Sequence, residues 1–137
     1  MFEKILIAVD GSPLSEKAIR AACSMAKPDT KVSLVHVIIN PPIPYAEGYI
    51  DVENQLRKYG EEILNTGQAL AKSLGVEVRT MLEIGDIAEE ILRVAEADNH
   101  DLIIVGSRGL SRVQSFLLGS VSSRITGHAK KSVLIVR

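Results

Sequence analysis

The chain has 137 residues, 46% of them apolar, with a single cysteine. That length makes one domain whose core needs neither disulfides nor a structural metal. Lys and Arg number 16 against 17 Asp and Glu, which excludes a broad electrostatic footprint for nucleic acid or an anionic membrane but leaves room for a local anion site.

Residues 5–9 form a continuous, branched apolar run, the form of a strand covered on both faces. Met1 leads into it within a few residues, so no cleavable leader is expected. No run approaches the ~18 apolar residues of a membrane span, and the cytoplasm is the default compartment. Ser12 and Pro13 supply an N-cap and a first-turn proline. In the helix that follows, Leu14, Ala18, Ala21, Ala22 and Met25 fall on one face. Cys23 lies in this alanine-rich stretch and reads as a small buried hydrophobe rather than a redox group.

The second strand covers residues 32–37. Residues 40–48 then carry three prolines, which forbid a regular helix. Standing at the carboxyl edge of the sheet, this segment is either a lid over a ligand or a passive connection. A helix near 49–74 carries Val52, Leu56, Tyr59, Ile63, Leu70 and Leu74 at spacings of three, four or seven. Residues 76–82 alternate as a third strand. Asp86 and Glu89 form a capping-box pattern after Gly85, and Ile87, Ile91, Val94 and Ala95 supply the buried stripe. Residues 102–105 make the fourth strand. A short helix including Val121 and Ile125 leads to the fifth, residues 133–136. Strands alternating with helices predict right-handed crossovers and one doubly wound, Rossmann-like α/β sheet across residues 1–137.

The stretch that carries chemistry follows the fourth strand: Gly106, Ser107, Arg108 and Gly109, nine further residues, then Gly119 and Ser120. Glycine permits close backbone approach, so several N–H groups can converge on an anion. Gly119 and Ser120 stand at a helix start, where free N–H groups and the positive dipole end favour phosphate. Ser120 and Ser122 add hydroxyl donors. Two such elements suit a polyphosphate; the alternative is a tight turn and an ordinary cap. Arg108 either neutralises phosphate or is solvated, and Arg112 and Arg124 read as exposed. No P-loop, dinucleotide fingerprint or receiver-type acid cluster is present. His36, His100 and His128 lack metal-ligand spacing; His36 reads as a satisfied core histidine and His128 as a helix-end residue. No strong general base is visible near the loop, so retention of a bound polyphosphate with slow turnover at most is expected.

The pattern Gly-x2-Gly-x9-Gly-Ser resembles that of the ATP-binding branch of the universal stress proteins. The resemblance covers nearly the whole chain, including Asp10, Gly11 and Ser12 closing the first strand, His36 and Val37 ending the second, Gly85 with Asp86, and the final strand. It implies a five-stranded parallel sheet in the order 3-2-1-4-5 with helices on both faces. It implies that Asp10 lies beside the adenosine half of ATP and that the Val37 backbone reads the adenine edge. Bottom-up, Asp10 can accept from ribose hydroxyls or cap a helix, and the Val37 side chain reads as core. Gly106, Gly109, Gly119 and Ser120 match the phosphate-binding positions, and Arg108, Val121 and Ser122 complete the expected contact set. A divalent cation, Mg or Mn, would ride on the phosphates. The resemblance further implies a homodimer joined in antiparallel fashion through Val133, Leu134, Ile135 and Val136.

The expected function is that of a cytoplasmic ATP-binding stress-response regulator signalling to a protein partner through nucleotide-dependent conformation. A slow ATPase or nucleotide-dependent transferase is one alternative. A nucleotide-free scaffold, as in the family's other branch, is another, and the intact glycine motif speaks against it.

Overall fold

The computed structural model describes residues 2–39, 49–109 and 118–137, with side chains from 51 onward in the second stretch. Strands β1 (Lys4–Ala8), β2 (Lys31–Ile38), β3 (Val78–Ile84), β4 (Leu102–Gly106) and β5 (Ser132–Val136) alternate with helices α1 (Pro13–Met25), α2 (Tyr49–Ser73), α3 (Ile87–Ala97) and α4 (Ser120–His128). The strands pair in parallel as a single sheet in the order β3-β2-β1-β4-β5. This is the order that the resemblance implies.

Because helices cover both faces, the central strands have no wet side. Ile5, Leu6 and Ile7 are all sealed from solvent. Alternation then divides them between two cores. Ile5 and Ile7 pack with Ala18 and Ile19 of α1 and Leu64 of α2. Leu6 packs with Ile91 of α3 and Ile125 of α4. Each such side chain contributes about 1.5–3 kcal/mol through burial, so the sheet stands on both layers.

Several sequence expectations shift in register. The third strand runs over Val78–Ile84 rather than 76–82. The Val76 amide donates back to the Ala71 carbonyl (2.9 Å), which keeps it in the turn closing α2. Helix α2 exists where expected, but Val52, Tyr59 and Leu74 are 47%, 49% and 41% exposed. Its contact face instead runs through Gly60 and Gly67. A Cβ at Gly60 would stand 2.7 Å from Leu82 Cδ1, and one at Gly67 would stand 2.9 Å from Leu34 Cδ1. These glycines let the helix lie close against the sheet, and hydropathy assigns them no weight. In α1, Met25 is exposed and Ile19 takes the buried place. Cys23 is half-buried against the first core, and burial pushes its thiol above the ordinary value.

The caps behave as the residue types require. Ser12 Oγ accepts from the Ser15 amide (3.3 Å), and the Asp86 side chain accepts from the Glu89 amide (2.9 Å). The reciprocal half of the capping box is not formed; the Glu89 carboxylate instead lies 3.7 Å from Arg124. His128 ends α4, with Nδ1 2.9 Å from the Arg124 carbonyl. The Pro-rich segment 40–48 and Arg112 lie outside the described residues.

Candidate functional site

Strands β1 and β4 are neighbours, and the winding of the sheet reverses between them. Crossover helices leave to opposite faces there, so the carboxyl ends part and a crevice opens. A cleft of about 720 Å³ occupies this position. All nine residues singled out from the sequence border it: Asp10 just after β1, Val37 from β2, Gly106 at the end of β4 with Arg108 and Gly109 beyond it, and Gly119, Ser120, Val121 and Ser122 at the start of α4. Ile87, Ile91 and Val105 supply apolar wall, and Leu56 and Tyr59 of α2 reach its rim.

The β2 side presents backbone. The Val35 carbonyl accepts from the Val9 amide (2.9 Å), the last rung before β1 turns away. Peptide groups two residues apart point to the same side of a strand. The Val37 amide and carbonyl therefore face the side that β1 has left, with no backbone partner there among the described residues. An open N–H and C=O pair is a donor–acceptor edge for a heterocycle. The adjacent His36 closes the strand end: its Nδ1 lies 2.8 Å from the Val9 carbonyl, so that nitrogen carries the proton and donates. His36 is thus satisfied but half-buried at the cleft, not in the core.

Asp10 stands between the two sides. Its Oδ1 accepts from the Ser12 amide (2.9 Å) and from Ser15 Oγ (2.8 Å). Its Oδ2 has no donor among the described residues and faces Gly109, where a Cβ would be 2.7 Å away. The capping reading of Asp10 thus holds for one oxygen, which organises the start of α1, while the other has no donor among the described residues.

The β4 side presents amides. Helix α4 has Gly119 as N-cap and no side-chain cap. The amides of Ser120, Val121 and Ser122 consequently have no partner among the described residues. Two expectations need correction. The Gly119 amide is not free, since it donates to the Ser107 carbonyl (2.6 Å). Gly119 matters instead for its missing side chain, because a Cβ would stand 3.2 Å from the Ser107 carbonyl oxygen and 3.3 Å from Arg108 Cα. Nor is the Ser122 hydroxyl a free donor: it is buried and bonds the Ser107 carbonyl (2.9 Å) and the Gly119 carbonyl (3.1 Å). Ser107, whose own amide bonds the Val136 carbonyl (2.8 Å), is therefore the pin that fixes the end of β4 to the start of α4.

Arg108 is exposed at the cleft and has no ion-pair partner among the described residues. Arg124 is committed elsewhere. Its Nη1 lies 3.0 Å from each Asp86 oxygen, tying α4 to the start of α3 beside a smaller recess that adjoins the cleft. The Glu89 amide and then Arg124 hold the Asp86 carboxyl below its ordinary value. Among the described residues, no three His, Cys, Asp or Glu side chains gather as metal ligands, and no helix is long and apolar enough to cross a membrane. Ser15, not among the residues expected from the sequence, also borders the cleft and bonds Asp10. Its only signal was a second serine in the first turn of α1, five residues beyond Asp10.

Comparison with known proteins agrees with the architecture. The sequence matches the model of the universal stress protein family over residues 1–137. The universal stress protein YxiE of Bacillus subtilis is 36% identical, over 100% of both chains. Among solved structures, the hypothetical protein MJ0577 superposes with a TM-score of 0.90 at 29% identity, covering 99% of this chain and 96% of that one. A universal stress protein crystallised in complex with cAMP superposes with a TM-score of 0.73 at 25% identity, covering 99% and 97%.

Proposed function

The chain belongs to the universal stress protein family, and from that premise we propose that its cleft holds an adenine nucleotide, ATP, as the input of a cytoplasmic regulatory protein. The observation that carries this is the spacing of unpaired backbone groups. The open edge at Val37 and the three amides of α4 border one cleft, with the free Asp10 oxygen between them. Neighbouring strands lie about 4.8 Å apart, so β2 and β4 are separated by about 10 Å, the scale of a nucleoside. Base on Val37, ribose beside Asp10 and phosphates on the amides of Ser120, Val121 and Ser122 fill that order. Arg108 adds the positive charge, and Gly109 lets the phosphate chain approach. The related structure bound to cAMP supports an adenine ligand. A Mg or Mn ion would be held by phosphate oxygens and water.

Calorimetry with ATP tests the reading. Saturable binding is expected, and silence toward millimolar adenine nucleotides overturns it. Chromatography of small molecules released from the purified protein separates it from a nucleotide-free scaffold.

The ionisable groups bordering the cleft among the described residues are Asp10, His36, Tyr59 and Arg108. This set supports binding more than fast hydrolysis, which needs a positioned water and compensation of the developing charge. Turnover at ordinary kinase rates, ~1–100 s⁻¹, would break the reading.

Strand β5 lies at an edge of the sheet, and Leu134 on it is 36% exposed. An apolar edge of this kind invites pairing, and we assign it to an antiparallel homodimer through Val133, Leu134, Ile135 and Val136. Light scattering at micromolar concentration should report twice the chain mass; a monomer would exclude the dimer. Nucleotide occupancy would change the surface shown to a protein partner, and equal proteolysis with and without ATP would remove that mechanism.

A further inference from the structure

We infer that Ser15 is a positioning residue: it locks the Asp10 carboxylate so that a single oxygen meets the sugar, and thereby makes the site prefer ribose to deoxyribose. The inference rests on the nucleotide reading above. Ser15 is buried and borders the cleft, although it belongs to the first turn of α1. Its hydroxyl oxygen accepts from the Asp10 amide (2.8 Å) while its proton goes to Asp10 Oδ1 (2.8 Å). Backbone and side chain of Asp10 are thus closed into a ring through one hydroxyl. The Ser12 amide adds a second donor to the same Oδ1 (2.9 Å). Ser15 is itself held, since its amide donates to the Ser12 carbonyl (3.0 Å) and Ser12 Oγ (3.3 Å). The result is an asymmetric carboxylate. Oδ1 carries two donors, whereas Oδ2 carries none among the described residues and points toward Gly109.

An ionised carboxylate can only accept. A ligand in the cleft can supply the donor that Oδ2 lacks among the described residues, and the vicinal hydroxyls of ribose are donors of the right chemistry. A site built to bond a hydroxyl rejects the analogue lacking it, because its own polar group is left unpaired. That rejection requires a carboxylate that cannot turn to serve itself. Without Ser15, the Asp10 amide loses its acceptor and Oδ1 keeps only the Ser12 amide, so the carboxylate can turn about that one remaining bond.

The test is calorimetry of ATP, 2′-deoxy-ATP and 3′-deoxy-ATP on wild type, Ser15→Ala and Ser15→Thr. Wild type should prefer ATP to at least one deoxy analogue by about tenfold, the scale of a hydrogen bond to a charged group. Ser15→Ala should reduce that ratio to about twofold or less, and Ser15→Thr, which keeps the hydroxyl, should restore it. A general loosening of the site would weaken all three ligands equally and leave the ratio unchanged, which overturns the inference. So does a wild type that binds ATP and both analogues alike, while the nucleotide reading stands. A wild type that binds none of the three removes both. Should Ser15→Ala fail to fold, Ser15→Cys, with its weak S–H donor, is read in its place, and an unchanged ratio counts against the inference in the same way.

Discussion

Asp10 and Asp101 sit at opposite ends of the sheet, and the contrast between them divides the molecule. At the amino edge, Asp101 accepts from the Glu3 amide through Oδ2 (2.9 Å) and from the Lys4 amide through Oδ1 (3.0 Å). The Lys4 ammonium in turn donates to the Asp98 carbonyl. Burial alone would raise the Asp101 carboxyl, but the Glu3, Lys4 and Asp101 amides together with His100 outweigh it and hold it below its ordinary value. At the carboxyl edge, Asp10 uses one oxygen inside the protein and leaves the other open. Polar groups at the amino edge bond each other and hold strands together; at the carboxyl edge the Val37 backbone, one Asp10 oxygen and three α4 amides have no partner among the described residues. On the proposed nucleotide reading, stability and recognition belong to opposite ends of the same five strands.

The largest expected effect tests the amino edge. Asp101→Ala removes the acceptor of two amides, and hydrogen bonds to a charged group contribute about 1.5–3 kcal/mol. Denaturant unfolding should show about 2 kcal/mol lost, with ATP affinity within twofold of wild type. A large loss of affinity would mean that the two edges are coupled.

Gly109→Ala is the converse experiment. Its Cβ would fall 2.7 Å from Asp10 Oδ2, and Oδ1 is too well held for the carboxylate to swing aside freely. Calorimetry should show ATP binding about tenfold weaker, about 1.4 kcal/mol; the exposed Gly109 must also shift to relieve the contact in the free protein, so unfolding stability should fall by about 1 kcal/mol, less than for Asp101→Ala. Unchanged affinity would remove the glycine loop from the site.

The smallest effect sharpens the contrast, because one group at the amino edge breaks its rule. His100 is 0% exposed, and neither ring nitrogen has a hydrogen-bond partner among the described residues. Burial first, and the Lys4 charge second, depress its pKa; the Asp98 charge and the nearby Val94 and Ala95 backbone oppose this. The folded value therefore lies below the unfolded one, near 6.5. Stability is complete above that pH and falls as the pH drops through it toward the folded value. Wild type should lose about 1 kcal/mol between pH 7.5 and 5.5, and His100→Phe should flatten that slope. An equal slope in both proteins would place the acid sensitivity elsewhere.

Local pattern was enough for the alternation of strands and helices, the caps at Ser12 and Asp86, and the glycine motif after β4. Those features depend on residues close together in the chain: β-branched runs, a capping side chain and its amide, small residues at fixed spacing. The strand order came from resemblance, since periodicity says which residues face a core but not which strand lies beside which.

Packing of distant segments decided the rest. The contact face of α2 runs through Gly60 and Gly67, which hydropathy cannot weigh, because their value lies in the side chains of Leu82 and Leu34 beneath them. Which polar groups stay open was equally invisible. The Gly119 amide and the Ser122 hydroxyl are occupied by a carbonyl at Ser107, and the Val37 edge is bare only because β1 turns away after Val9. The sequence by itself determined which residues could form the elements and furnish a site. The tertiary structure decided which donors and acceptors were left over, because a hydrogen bond is a relation between neighbours in space, and most of those neighbours are far apart along the chain.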